Sequence, residues 1–317
     1  MKHEELEYDV VIIGSGLVGL AAAIYCGRLE LKTIVIGKEP GGTITKTDFV
    51  ENYPGFKKIT GQELADKLRE HAKEYPVEII NENVEKISKC KEGCYTVYIE
   101  NKHYHAQTIL FATGSEWRKL GVSGEKEFTN KGVHYCALCD GPIYKDKVLA
   151  VSGGGDSAVK EALLLSKYAT KVYILARSTL KPEPINMERI KKEPKIIVIE
   201  GTTIKEIFGN KFVNKIILNE KYKGMNELDV DGVFVSVGHI PLSDLAVKIG
   251  VKTNKNKEII INKESKTNIK RVYAAGDVGD SRFKQAITGV GEAVKAVYSI
   301  YEDLKGERVV CSCVDEE

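Results

Sequence analysis

Tyr8-Asp9-Val10-Val11-Ile12-Ile13-Gly14-Ser15-Gly16-Leu17-Val18-Gly19-Leu20-Ala21-Ala22-Ala23-Ile24-Tyr25 is the stretch on which the fold turns. Its opening residues are mostly apolar and β-branched, the composition of a strand buried on both faces. Gly14, Gly16 and Gly19 then give the pattern G-x-G-x-x-G, and residues 20–25 form helix readily. Thr33–Ile36 reads as a second short strand. In such a unit the first glycine permits the tight turn and the second lets backbone approach a pyrophosphate. The third lets helix and strand pack closely. The helix N-terminus offers unpaired N–H groups and a positive dipole end to phosphates. Glu39 stands about 20 residues beyond the last glycine, where a ribose hydroxyl ligand is expected.

The pattern returns further along. Residues 147–151 read as a strand and Gly153-Gly154-Gly155-Asp156-Ser157-Ala158 as a G-x-G-x-x-A turn. An amphipathic helix over 159–168 and a strand over 171–175 follow. Two fingerprints in the same strand–turn–helix–strand context imply two bound nucleotides. Between them, residues 95–100 and 104–109 read as hairpin strands, closed by Leu110-Phe111-Ala112-Thr113-Gly114. Later come a strand over 230–237, a strand running into Gly276-Asp277-Val278, and a long helix over 285–304. The junctions 115–120 and 238–242 read as hinge linkers. The expected fold is α/β, with two Rossmann-like domains built on parallel sheet and antiparallel crossover strands. The second is inserted in the first: 1–116 with 241–317, and 117–240.

Just before the second fingerprint lies Gly132-Val133-His134-Tyr135-Cys136-Ala137-Leu138-Cys139-Asp140-Gly141. Two cysteines separated by two residues can close and reopen a small disulfide ring, and Asp140 can supply or take a proton. Beside a dinucleotide motif, this reads as a redox dithiol. Electrons would arrive on a nucleotide and leave through sulfur.

The 317 residues suffice for two domain-sized cores. A hydrophobic share of 43% and a charged share of 29% are those of a globular protein. A net charge of +2 gives no case for nucleic acid or a membrane surface, and no apolar run approaches a membrane span. The polar N-terminus runs directly into a strand, so no signal peptide is expected. Seven cysteines, an odd number without framework spacing, fit a reducing cytoplasm with one dedicated pair.

Together these motifs resemble the low-molecular-weight thioredoxin reductases, class II of the pyridine nucleotide-disulfide oxidoreductases. The resemblance runs in order along nearly the whole chain. It includes Gly41-Gly42 with Glu51-Asn52-Tyr53-Pro54-Gly55, the Cys136–Cys139 run, and Ala274-Ala275-Gly276-Asp277-Val278 with Gln285-Ala286. It implies FAD in the discontinuous domain, with Gly14, Ser15, Gly16 and Gly19 at the pyrophosphate and Glu39 at the adenosine ribose. Gly41, Gly42, Thr43, Asn52 and Gly114 would line the flavin side, Thr43 standing where the family often has Gln. Asp277 would hold the ribityl chain, with Val278, Gln285 and Ala286 facing the ring.

In the inserted domain the resemblance implies NADPH on Gly153, Gly155, Asp156, Ser157 and Ala158. The family's His-Arg-Arg clamp for the 2′-phosphate is replaced by Ala176-Arg177-Ser178, then Lys181. Arg177 as a fork and Lys181 as a point charge are the expected grips. No acid follows Leu175 to mark NADH; NADH or a reduced deazaflavin stays open as an alternative donor. Cys139 would face the flavin, Cys136 would attack the partner's disulfide, and Asp140 would protonate the leaving thiolate. The implied partner is a thioredoxin or thioredoxin-like protein, and the implied assembly a homodimer.

Other readings remain. Cys136 and Cys139 could share zinc with Cys311 and Cys313, although that second pair is distant and lacks finger spacing; no metal is expected. Cys311-Ser312-Cys313 could be an auxiliary dithiol or a solvated tail. A non-enzymatic FAD-binding redox sensor would use the same dithiol as a switch. His134 reads equally as a modifier of the dithiol or as a surface residue. His103 and His105 alternate on a strand without a visible partner, and Trp117 is expected to pack between domains.

Overall fold

The computed structural model describes residues 8–46, 50, 52–90 and 93–306. Glu51, Cys311 and Cys313 lie outside them. The chain divides into two units, Met1–Glu116 with Ile240–Glu317, and Trp117–His239.

The discontinuous unit is built on a 7-stranded sheet in the order Val77–Ile80, Thr33–Ile36, Tyr8–Ile13, Lys102–Phe111, Tyr95–Ile99, Lys86–Lys89, with Val272–Ala274 also paired to Lys102–Phe111. That long strand does two jobs. Toward its C-terminal end it runs parallel to Tyr8–Ile13 and to Val272–Ala274, with Phe111 level with Ile13 and Ala274. Toward its start it is antiparallel to Tyr95–Ile99, Lys102 opposite Ile99. All six residues of Tyr8–Ile13 are buried. Val11 and Ile13 join a core with Ile36, Phe111 and Val278, while Val10 and Ile12 join another with Ala22, Leu110 and Val297. Burying such aliphatic side chains contributes roughly 1.5–3 kcal/mol each. The alanines of helix Leu17–Arg28 let helix Ala286–Gly306 pack closely on it.

The inserted unit holds a 5-stranded sheet in the order Ile196–Glu200, Lys171–Ala176, Val148–Ser152, Gly232–Val235, Val133–His134, every pair parallel. Helices Asp156–Leu165 and Pro184–Lys192 cover one face. The other face packs on a 3-stranded antiparallel sheet, Ile204–Gly209, Val213–Tyr222 and Met225–Asp229. The helix expected over 159–168 begins at Asp156, because Gly155 caps it directly from the phosphate turn. With all strands parallel, their C-terminal ends share one edge, the place where open α/β sheets bind ligands. Gly153, Arg177, Ser236 and the Tyr135-Cys136 step all leave strands at that edge.

The chain crosses between units twice, and the crossings Ser115–Trp117 and His239–Pro241 pair as a two-stranded ribbon. Within the discontinuous unit Leu242 N–H donates to Gly114 O at 3.0 Å, and within the inserted unit Arg118 N–H donates to Gly238 O at 2.9 Å. Among the described residues no helix is long and apolar enough to cross a membrane.

Candidate active site and nucleotide cradles

Cys136 follows the short strand Val133–His134 and caps the one-turn helix Ala137–Asp140. Cys136 and Cys139 are disulfide-bonded, their Cα atoms 5.3 Å apart. The Cys139 N–H donates to Cys136 Sγ at 3.2 Å, and the Asp140 N–H to Cys136 O at 3.0 Å. Both cysteines are half-buried. Once the disulfide opens, the Cys139 N–H favours negative charge on Cys136, and the thiolate is the nucleophilic form.

His134 is not a surface residue. It is buried, its Nδ1 lies 3.4 Å from Asp140 Oδ2, and its Nε2 is 2.8 Å from the Tyr144 hydroxyl. Its ring stacks on Phe234 at 5.4 Å between centroids. Burial, then the negative charges of Asp140 and Asp231, push the Tyr144 phenol up, so it stays a neutral hydroxyl. Tyr135 is fixed on the other side. Its hydroxyl donates to Glu125 Oε1 at 2.9 Å, and the buried Glu125 carboxylate also accepts from Leu120 N at 2.9 Å and Gly121 N at 2.7 Å. Trp117 stacks on Tyr135 at 5.4 Å, within the inserted unit. His105 also has a partner, the Thr96 hydroxyl at 3.1 Å from its Nδ1, and His103 lies against Tyr98. Tyr144, Phe234 and Glu125 carry no motif signal; only their distance from the dithiol in space marks them.

The first fingerprint fits a dinucleotide. Gly14 has φ +113, and a Cβ there would meet Ala112 O at 2.2 Å. A Cβ on Gly19 would stand 1.8 Å from Gly14 O. Gly16 is different: an added Cβ would meet nothing closer than 3.7 Å, so the space beside it is open. Gly16 caps helix Leu17–Arg28 with no side-chain cap and no acid in the first turn, leaving N–H groups for phosphate. The Ser15 hydroxyl donates to Gly37 O and Glu39 O, which ties the turn to the loop carrying Glu39. The Glu39 carboxylate is exposed and paired with Lys46 at 3.0 Å. Gly41 bridges to Gly16, and Gly42 with Thr43 opens the 3-10 turn Gly42–Lys46.

Asn52 and Gln285, far apart in sequence, meet through Asn52 Nδ2 donating to Gln285 Oε1 at 3.0 Å, beside Ala286 at the helix start. The Asp277 turn is held by Lys284, which donates to Asp277 O at 2.8 Å and Gly279 O at 2.6 Å, a role with no sequence signal. Ser115 Oγ donates to Asp277 Oδ2 at 3.4 Å, and Val278 is buried. Gly114 holds φ +69, with no atom within 4 Å of an added Cβ.

In the second fingerprint, Gly153 has φ +156, and its Cβ would meet Ser236 O at 2.3 Å and Ala158 Cβ at 2.9 Å. Gly155 is open, with nothing within 4 Å, and it caps the helix without a side-chain bond. Asp156, next to Ser157 in the first turn, is occupied. Burial raises its pKa, but bonds from Lys160, Asn186 and the Glu183 N–H outweigh that and hold it below its usual range. The turn after Lys171–Ala176 folds onto the glycine loop through Lys181 N donating to Gly154 O at 2.9 Å. Arg177 is exposed beside it. Glu200, level with Ala176 on the adjacent strand, accepts from Leu180 N at 2.8 Å and brings an acid into that turn.

Residues 8–293 match the family model described as pyridine nucleotide-disulphide oxidoreductase. A thioredoxin reductase of Listeria innocua is 39% identical over 318 residues, covering 97% of this chain and 99% of its own. That of Bacillus subtilis is 38% identical over 301 residues, covering 94% and 95%. The crystal structure of thioredoxin reductase from Streptococcus pyogenes superposes with a TM-score of 0.87 at 36% identity, covering 95% of this chain and 99% of that one.

Proposed function

Since the chain belongs to the pyridine nucleotide-disulphide oxidoreductase family, and within it to the low-molecular-weight thioredoxin reductases, we propose that it reduces thioredoxin disulfide at Cys136 and Cys139 with electrons from NADPH by way of FAD. The supporting observation is the bonded Cys136–Cys139 pair on the same sheet edge as a glycine cradle open at Gly155. FAD, when bound, supplies a two-electron carrier between the nicotinamide and the disulfide. Gly14, Gly16 and Gly19 shape its pyrophosphate seat, and Glu39 stands for its ribose. Gly114, Asp277, Val278, Gln285 and Ala286 stand for the ribityl and ring portion. Gly153, Gly155, Ser157 and Ala158 seat the nicotinamide nucleotide, with Arg177 and Lys181 for its 2′-phosphate.

At the dithiol, the Cys136 thiolate attacks the substrate disulfide and breaks its S–S bond. Asp140 protonates the departing sulfur, and Cys139 then closes on Cys136 to release the second thiol. General acid help of this kind contributes about 10²–10⁴-fold. A homodimer in the cytoplasm completes the proposal.

Glu200 favours a second reading in which NADH also serves, since an acid beside the Arg177–Lys181 turn opposes a 2′-phosphate. Anaerobic titration with each nucleotide separates the two. NADPH is expected to bleach the flavin at lower concentration, and Arg177→Ala to raise KM about tenfold for NADPH alone, the scale of one lost charged hydrogen bond. Cys136→Ser and Cys139→Ser are expected to keep flavin reduction and lose thioredoxin-dependent turnover. Turnover persisting in both would sink the assignment.

A further inference from the structure

The imidazole behind the dithiol has no role in the reaction as described so far. His134 touches Asp140 with one ring nitrogen and Tyr144 with the other, at 3.4 and 2.8 Å. The Phe234 ring covers its face, and only 4% of its side chain is exposed. A buried imidazole hydrogen-bonded at Nε2, with a carboxylate oxygen 3.4 Å from Nδ1, has a fixed orientation. Tyr144 is itself held edge-on against Phe234 at 5.6 Å.

The Tyr144 hydroxyl accepts from Nε2–H throughout. With imidazolium, Nδ1–H faces the Asp140 carboxyl; once that proton has passed to Asp140, the neutral imidazole keeps Nε2–H and its bare Nδ1 accepts from the recharged Asp140 O–H. The transfer moves no heavy atom. The titratable groups facing this imidazole are Asp140 from the dithiol turn and Tyr144 from the following turn; Asp231 acts on Tyr144 in turn. Phe234, from the neighbouring strand, is apolar.

We propose that His134 is the positioning residue and proton reserve of Asp140, so that the acid delivering a proton to the leaving thiolate is recharged from the imidazole. This rests on the reading of Asp140 as general acid. Reduced enzyme holds two electrons and two protons: a Cys136 thiolate, a Cys139 thiol, and a proton on His134. Cys136 attacks, the substrate S–S bond breaks, and the first leaving thiolate takes a proton from Asp140, which takes one from His134. Cys139 then gives up its proton as it closes the disulfide, and that proton goes to the second leaving thiolate. Substrate gains both electrons and both protons; the enzyme returns to disulfide and neutral imidazole. The imidazole thus backs the carboxyl with a second proton at the same turn.

The test is single-turnover reduction of thioredoxin disulfide by pre-reduced holoenzyme from pH 5 to 9, in wild type, His134→Gln, Asp140→Asn and the double variant. His134→Gln is expected to lose about tenfold at neutral pH, part of the range general acid catalysis spans. Its falling alkaline limb should move to lower pH by more than one unit, on the order of the separation between imidazole and carboxyl. Tyr144→Phe, which keeps the ring packing and removes the acceptor of the imidazolium, should shift the limb the same way by less. Flavin reduction by NADPH stays unchanged in Tyr144→Phe. The double variant should be no slower than Asp140→Asn. An unmoved limb in both His134→Gln and Tyr144→Phe, or multiplicative losses in the double variant, overturns the proposal while leaving Asp140 as acid. A wild-type rate in Asp140→Asn at every pH removes the acid reading itself, and the reserve with it.

Discussion

Glu161 lies one turn into the helix Asp156–Leu165 with its carboxyl buried, and its Oε2 has no hydrogen-bond partner among the described residues. Burial lifts its pKa from an ordinary 4.5 to about 7, against the opposing hydrogen bond from Ser236. Between those two values the folded state holds a proton that the unfolded chain has lost. The stabilisation is therefore complete below pH 4.5 and is lost as pH rises to about 7. The loss is on the order of 3 kcal/mol. Glu161→Gln should flatten this dependence, unfolding at higher urea than wild type at pH 8 and no higher at pH 4.5; equal midpoints at pH 8 would count against the buried acid. Neither Glu161 nor His134 was legible in the sequence as a buried polar residue. Glu161 sits on an amphipathic helix beside Lys160, and its cover comes from Ser236, 75 positions away by numbering. His134 belongs to a strand of two residues, too short for any period, and Phe234 and Tyr144 close over it.

The fingerprints were legible at the scale of the element, because Gly14, Gly19 and Gly153 answer backbone crowding that leaves no other choice. Gly153 and Gly155 separate two meanings of glycine. Gly153→Ala collides with Ser236 O at 2.3 Å, a backbone atom that cannot give way, so it should lower the Tm of the inserted unit. Gly155→Ala meets nothing within 4 Å in the protein and should leave Tm and flavin content intact. Its methyl would instead occupy the approach of the pyrophosphate, so KM for the nicotinamide nucleotide should rise at least about tenfold, the loss of one or two hydrogen bonds to a charged group. Unchanged KM in Gly155→Ala would move the nucleotide elsewhere. The helix over 159–168 was misplaced at both ends for the same reason. Periodicity marks the buried stripe, whereas the cap is set by the glycine turn before it.

At the scale of the whole molecule, the proposed reaction has one dithiol serve both a flavin and a bulky protein, and a turn of the inserted unit about its two crossings is the expected means. A crosslink engineered between the units should preserve flavin reduction or dithiol exchange and abolish turnover; turnover at the wild-type rate would rule the motion out. The crossings were legible as two short junctions, 115–120 and 238–242. Their pairing as a ribbon was not, since nothing in either segment reports on the other.

That ribbon has a consequence for how such a chain can be rebuilt. Gly114 bonds Leu242 on one side and Arg118 bonds Gly238 on the other, so each unit closes its own ends. Residues 117–239 are thus a cassette with adjoining termini. A gene carrying only the discontinuous part, rejoined by a tight turn between Gly114 and Leu242, should yield a yellow monodomain protein, and the excised cassette a colourless partner for transplantation or circular permutation.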